Sequence, residues 1–277
     1  MANNTSKKIL VKPYFRRRLQ DWIRISNYNA RDIIRIGKKS VLTHYDIRQT
    51  NEIGKKILFF SDLHWKRQSE FYHSLVSDIY DYSSEFKPEI IIFGGDLTSY
   101  TCHLDEALQS ISVINAPVKL AIPGNWEFRR TWISKERWRQ YFKQAGFTLL
   151  CQEWYKNGDV AFFGTDDFKY GNPQPPEFYM DGYRILLTHN PDTVIALSRR
   201  EIMKNFHLVL CGHTHGGQIR LPGIGSIATS SIYGTHLDYG HFHNRRSDTN
   251  LLISSGLGYT AINRRLNCQS EAILVSF

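Results

Sequence analysis

From Lys55 onward, short apolar runs alternate with stretches of helical period. Ile57 to Phe60, Glu89 to Phe93 and Val118 to Ile122 read as buried strands. Between them, Phe71 to Phe86 and Leu104 to Ile114 repeat their apolar positions at helical spacing, the first stopping at Pro88. Ile133 to Ala145 is a third helix, closed by Gly146. Phe147 to Leu150 and Val160 to Phe163 are short strands, with a turn at Asn157-Gly158. Arg184 to Leu187 and Leu208 to Leu210 are further strands, joined through a short helix from Asp192. After Gly225 come short strands, and Glu271 to Phe277 is a last strand that anchors the C-terminus in a sheet. Residues 167–176 read as a loop, not a domain linker. The alternation predicts an α/β domain over 55–277.

The segment before it has a different pattern. After Pro13, Phe15, Leu19, Trp22 and Ile23 recur at helical spacing, with Arg16, Arg17, Arg18 and Arg24 around them. This predicts a basic amphipathic helix within an extension over 1–54, of the kind that lies in a membrane interface. Charge sharpens the division: residues 1–56 hold 14 Lys/Arg against 4 Asp/Glu, whereas the whole 277-residue chain is only +9. The basic character therefore belongs to the N-terminal segment and points to a polyanionic surface. The apolar stripe favours an anionic membrane over nucleic acid. No run of about 18 apolar residues could span a bilayer, and no apolar h-region marks a signal peptide. Four widely spaced cysteines without a CxxC pair are expected to be reduced thiols, mostly buried, as in the cytosol.

The chemistry sits at the strand ends. Asp62, His64, Asp96, Asn125, His189, His213 and His215 each follow an apolar run, where open α/β sheets place ligands. His213 and His215, two apart, face the same way in extended backbone. Oxygen plus imidazole, without thiolate, suits Mn, Fe or Zn. Seven such donors exceed the needs of one ion, and a carboxylate can bridge two. His236, His241 and His243 are additional to that set.

Asp62-Leu63-His64, Gly95-Asp96, Gly124-Asn125, His189 and Gly212-His213-Thr214-His215 resemble the calcineurin-like metallophosphoesterase signature. The resemblance implies a four-layer α/β/β/α sandwich holding two divalent ions, manganese foremost, with Zn or Fe as alternatives. It implies one ion on Asp62, His64 and His215, the other on Asn125, His189 and His213, and Asp96 as the bridge. Cys211 to Pro222, Tyr233-Gly234 and Ser255 to Gly258 are similar to the membrane-associated bacterial branch, which includes UDP-2,3-diacylglucosamine pyrophosphohydrolases of lipid A synthesis. An enzyme of that kind would release UMP and a lipid monophosphate at the cytoplasmic face of the inner membrane, with no obligate protein partner.

One position departs from the signature. The family has Gly-Asn-His-Asp/Glu, and here Trp126 stands in place of the His that assists the leaving group. An indole N–H is not acidic, so a leaving group that is already a weak base is favoured, as in a pyrophosphate. Otherwise Trp126 only packs, Arg129 substitutes electrostatically, or activity is lost. Asp96, Asn125 and Trp126 are the expected catalytic positions. Arg129, Gln218, Arg220, Arg264 and Arg265 are candidate phosphate or headgroup contacts. A soluble nucleotide phosphodiesterase and a non-catalytic scaffold are the competing functions.

Overall fold

The computed structural model describes residues 19–26, 33–47, 54–67, 69–198, 202–260 and 262–277. In chain order its strands and helices are β1 (Trp22–Ser26), β2 (Ile33–Ile36), β3 (Ser40–Asp46), β4 (Lys56–Phe60), α1 (Glu70–Phe86), β5 (Ile90–Phe93), α2 (Leu104–Ser112), β6 (Val118–Ala121), α3 (Asn125–Arg129), α4 (Lys135–Gln144), β7 (Thr148–Leu149), β8 (Glu153–Asn157), β9 (Val160–Gly164), β10 (Tyr183–Leu187), α5 (Asp192–Ser198), β11 (Leu208–Cys211), β12 (Arg220–Leu221), β13 (Gly225–Ser226), β14 (Gly240–Asn244), β15 (Thr249–Ile253) and β16 (Ser270–Ser276).

Two seven-stranded sheets result, ordered β2-β3-β16-β4-β5-β6-β7 and β1-β14-β15-β11-β10-β9-β8. Alternation along each strand decides the layers. Ile57, Phe59, Ile90 and Ile92 of the first sheet pack on Phe162, Ile185, Leu187, Leu208 and Leu210 of the second, forming a dry inter-sheet core. Their neighbours in sequence face outward. Leu58, Phe60, Ile91 and Phe93 meet Leu75 and Ile79 of α1, Leu108 of α2 and Phe142 of α4. On the far side, Phe163, Leu186 and Val209 meet Val194 and Ile195 of α5. This is the expected α/β/β/α sandwich.

The N-terminal expectation needs correction. Trp22 and Ile23 lie in a strand, not a helix: β1 pairs antiparallel with β14, Trp22 opposite Asn244 and Ile23 opposite His243. Leu19 and Trp22 are buried against Leu186 and Phe242, which a membrane-bound stripe would not allow. Arg24 donates to Asp238 and lies 4.4 Å over the Phe242 ring. The i, i+3, i+4 spacing was genuine, but pairing with an open sheet edge outweighed it. Phe15 and Arg16 to Arg18 lie outside the described residues. Residues 33–46 are likewise part of the sandwich, with β3 running parallel to β16 over seven residues, Ser40 opposite Ser270 to Asp46 opposite Ser276. The boundary drawn at 54/55 therefore cuts through both sheets.

Glu271 ties the two sheets together from a buried position. Its carboxylate accepts from Thr43 Oγ1 at 2.5 Å, Ser255 N at 3.1 Å and Tyr239 Oη at 3.3 Å. Burial nevertheless pushes this carboxyl up, to about 7. A folded-state pKa above the unfolded one means that the folded protein binds the proton more tightly. The stability so gained is complete below the unfolded pKa and is lost as pH rises through about 7. Glu271→Gln stays neutral throughout, and its amide can donate to the Thr43 or Tyr239 hydroxyl. It is expected to flatten the decline in thermal stability between pH 4.5 and 7, by up to about 3 kcal/mol. Melting curves across that range check it; parallel profiles for both proteins would contradict it.

Candidate metal centre

All seven candidate donors follow the carboxyl ends of β4, β5, β6, β10 and β11. Because β10 runs parallel to β11, and β4 to β5 to β6, these ends collect at one rim of the sandwich. The chain there is strained in a specific way. Asp62, His64, Asp96, His213 and His215 all adopt left-handed backbone, with φ of 56°, 47°, 60°, 70° and 52°. Such conformations cost of order 1 kcal/mol or more per residue and persist only where the surroundings over-determine them. Here the loops lock each other: Asp62 N donates to Gly95 O at 2.9 Å, His64 N to Asp96 O at 3.0 Å and Gly212 N to His189 O at 3.0 Å. The glycines are needed for close approach. A Cβ on Gly212 would lie 2.3 Å from Asp62 Oδ2, and one on Gly124 would lie 2.2 Å from Asp96 Oδ1.

The side chains converge into two groups, Asp62, His64 and His215 in one and Asp96, His189 and His213 in the other, all buried. Asp96 Oδ2 stands between them, 3.4 Å from His64 Nε2 and 3.2 Å from His189 Nε2. His64 and His215 bring their Nε2 atoms to 3.1 Å, and His213 Nδ1 lies 3.2 Å from His189 Nε2. His189 Nδ1 donates to Gly94 O at 2.7 Å, which orients the ring and turns Nε2 toward Asp96 as the nitrogen that can give up its proton to ligate.

Does this set fit a pair of cations? Asn125 Oδ1 and His213 Nε2 are buried without a protein partner, a costly state that coordination would relieve. Desolvation holds the His64, His213 and His215 imidazoles well below their ordinary pKa, so they are neutral and ready to ligate. Desolvation also opposes charge on His189, but the Asp96 and Asp62 carboxylates outweigh it and hold its proton well above the usual range. Without metal, that proton supplies the positive charge that buried carboxylates demand. Mixed oxygen and imidazole donors suit borderline divalent ions. The donors fit two ions, with Asp96 placed to bridge.

Three further groups shape the site. Glu127, fully buried on α3, accepts from Gly124 N at 2.7 Å, Asp96 N at 2.9 Å and Leu97 N at 2.9 Å. It clamps the loop that presents Asp96 to the loop that presents Asn125. Arg130 donates to Trp126 O and to Thr98 O, each at 2.8 Å. Asp167 is buried among His189, Glu127 and Asp192, and burial raises its carboxyl. Sequence reasoning assigned none of these a role. Glu127 had a legible signal, since an acid three residues past a helix start commonly closes a capping box; Asp167 had none.

A cleft of about 420 Å³ opens onto the donors, lined by Asp96, Asn125, His213 and His215 and by Trp126, Arg129, Lys169 and Tyr170. Trp126 N donates to Asp96 Oδ1 at 2.8 Å, and the indole stands edge-on to His64 with ring centres 5.7 Å apart. Arg129 lies 5.2 Å over that indole and is the one sequence-predicted arginine in the cleft wall. Lys169, with no distinguishing sequence signal, is the second cation there. The other candidates are engaged elsewhere or lie outside the cleft wall. Gln218 lines the cleft but spends its amide on Ile262 O, Arg264 O and Thr260. Arg220 pairs with Asp238 at 2.7 Å. Arg265 donates to Ser255 O, Gly256 O and Gly258 O and lies 3.3 Å from His215 Nδ1, supporting that ring from outside. Arg264 is exposed and outside the cleft wall. His236, His241 and His243 bond Leu19 O, Asn250 and Asp248, away from the donors. All four cysteines are free, and three are buried; Cys211 lies in the outer core, its thiol pushed well up by burial.

Comparison with known proteins decides the family. Residues 55–217, more than half of the chain, match the calcineurin-like phosphoesterases. The chain belongs to that family. It is accordingly a metal-dependent phosphohydrolase. Among its relatives, phosphodiesterase YaeI of Escherichia coli is 29% identical over 235 residues, covering 79% of this chain and 81% of that protein. The uncharacterized metallophosphoesterase YkuE of Bacillus subtilis is 28% identical over 242 residues, covering 79% and 77%. A dimetal phosphatase from Danio rerio superposes with a TM-score of 0.47 at 9% identity, over 74% of this chain and 88% of that one. In this member of the calcineurin-like family, the position after Asn125 is filled by an indole whose main chain, not its side chain, engages the Asp96 carboxylate.

Proposed function

We propose that this phosphoesterase cleaves a phosphoanhydride whose leaving group is already a weak base, in a lipid-linked nucleotide diphosphate such as UDP-2,3-diacylglucosamine. Trp126 carries the proposal. Among the described residues, the cleft wall holds no imidazole beyond the donors His213 and His215. With a non-acidic indole at its mouth, the site lacks the imidazole that would most readily protonate a strongly basic alkoxide. A departing phosphate monoester needs no such help.

Asp62, His64, His215, Asn125, His189, His213 and the shared Asp96 would hold the two ions. Bound there, such a pair lowers the pKa of water and neutralises charge on the attacked phosphate. The chain's own residues do the rest. Arg129 and Lys169, on the cleft wall, are placed to pair with the non-reacting phosphate. Glu127 and Arg130 hold Asp96, Asn125 and the backbone of Trp126 in register, so that little reorganisation accompanies reaction. The donors suit manganese, zinc or iron, and manganese is the ion that the resemblance to the family favours.

The test is turnover of UDP-2,3-diacylglucosamine in mixed micelles by manganese-loaded protein, with products identified by mass spectrometry. UMP and the lipid monophosphate are expected. Rapid cleavage of small nucleotide diesters without action on the lipid would replace this substrate class with that of a soluble nucleotide phosphodiesterase. The description of YaeI as a phosphodiesterase is compatible with either outcome.

A further inference from the structure

One wall of the catalytic cleft is built from two laced segments. Gly217, Gln218, Ile219 and Ala228 contribute from the first, Thr260 and Ile262 from the second. Arg220 N donates to Leu266 O at 2.9 Å, Leu266 N to Gln218 O at 2.9 Å, and Gln218 Nε2 to Ile262 O at 2.8 Å. The outer side of this unit is unusual. Leu221, Ile224, Ile227, Ile262 and Leu266 are all exposed, Ile224 at 75% and Ile227 at 61%. Single exposed aliphatics are ordinary. Five on one unit beside a catalytic mouth form a patch that marks an interaction surface. The two-residue strands β12 and β13 carry Leu221 and Ile224 on a projecting hairpin with Pro222 and Gly223 between them.

The same unit borders a second cleft, of about 790 Å³. Among the described residues its wall includes Lys38 and Lys39, with Arg220 and Arg265 held by internal partners, and no carboxylate lines it. The two features share their backbone: Arg220 precedes Leu221, Asn267 follows Leu266, and Asn267 Nδ2 donates to Arg220 O at 3.0 Å. Lys38 and Lys39 are exposed, and their loop is held by backbone N–H bonds to the buried Asp78 at 2.6 and 2.8 Å. Aliphatic tips beside a cationic recess complement an anionic lipid surface, with hydrocarbon for the isoleucines and phosphate headgroups for Lys38 and Lys39. Nucleic acid would match the cations but leave the aliphatic rim in water.

We propose that this face, comprising the 221–227 hairpin, the 262–266 segment and the Lys38/Lys39 recess, docks the protein on an anionic bilayer with the catalytic cleft opening beside the contact. The proposed lipid-linked substrate gives the contact its purpose, but vesicle binding is read without turnover, so either idea can fail alone.

Flotation of the full chain with phosphatidylcholine vesicles, with and without phosphatidylglycerol, tests it. Binding is expected to the anionic vesicles and to fall with salt. Ile224→Ser combined with Ile227→Ser should weaken that binding on the order of tenfold or more, with hydrolysis of bis-p-nitrophenyl phosphate unchanged as proof of an intact fold and metal centre. Lys38→Glu combined with Lys39→Glu should cost at least about fivefold per lysine on anionic vesicles. Failure of the parent protein to float, equal binding to neutral vesicles, or a double-isoleucine variant that floats like the parent would each overturn the proposal.

Discussion

Asp96→Ala is expected to lower turnover by more than about 10³-fold and to leave fewer than two ions per chain. Losing a single donor that stabilises transition-state charge costs roughly 10²–10³-fold. Asp96 does more than one donor's work, because its Oδ2 lies within 3.4 Å of a histidine from each cluster, while its Oδ1 accepts from Trp126 N. Its removal therefore disables both ion positions and loosens the loop that carries Asn125. The side chain is buried, so Asp96→Asn, which keeps the volume, should accompany it. Metal content by elemental mass spectrometry separates a lost bridge from a lost fold. Retention of activity within tenfold, at full metal content, would dismiss the two-ion centre as the seat of the chemistry.

The second large effect is a gain. Trp126→His should accelerate cleavage of diesters with alkoxide leaving groups by about 10²-fold or more, the ordinary worth of a positioned general acid. Diesters with nitrophenolate leaving groups, which need no proton, should change only a few-fold. The position is favourable for such a graft. The backbone N–H of residue 126 stays on Asp96 Oδ1, and Arg130 is anchored by the carbonyls of residues 126 and 98, so neither depends on the indole. The side chain already stands edge-on to His64 at the cleft mouth. The diagnostic quantity is the ratio of the two rates. An unchanged ratio would mean that the indole is packing and that its identity does not select the substrate.

Much of the core was legible because its signals are local. Apolar runs of three to five residues gave β4, β5, β6, β10 and β11 nearly to the residue, and helical spacing gave α1, α2 and α4. The donors were legible for a related reason: a polar residue after a buried strand can only emerge at the sheet's rim, wherever the other strands lie. The N-terminal strands were not. Trp22 and Ile23 satisfy a helical stripe as well as a strand, and only the unpaired edge of β14, more than 200 residues away, selects between them. Arg220 and Arg265 look from sequence like phosphate ligands. Asp238 and three backbone carbonyls claimed them first, and those partners are brought near only by folding.

By itself, then, the sequence determined an α/β domain and the rim positions of seven candidate donors, because both depend on residue type and short-range pattern; the four-layer sandwich and the missing histidine came from the resemblance to the family. Tertiary structure alone decided the left-handed turns that aim Asp62, Asp96 and His213 inward, Glu127's hold on three backbone N–H groups, and the spending of the arginines on internal partners. Those outcomes depend on which distant groups become neighbours once both sheets close on their shared core, and a backbone conformation that is strained in isolation holds only when such neighbours fix it.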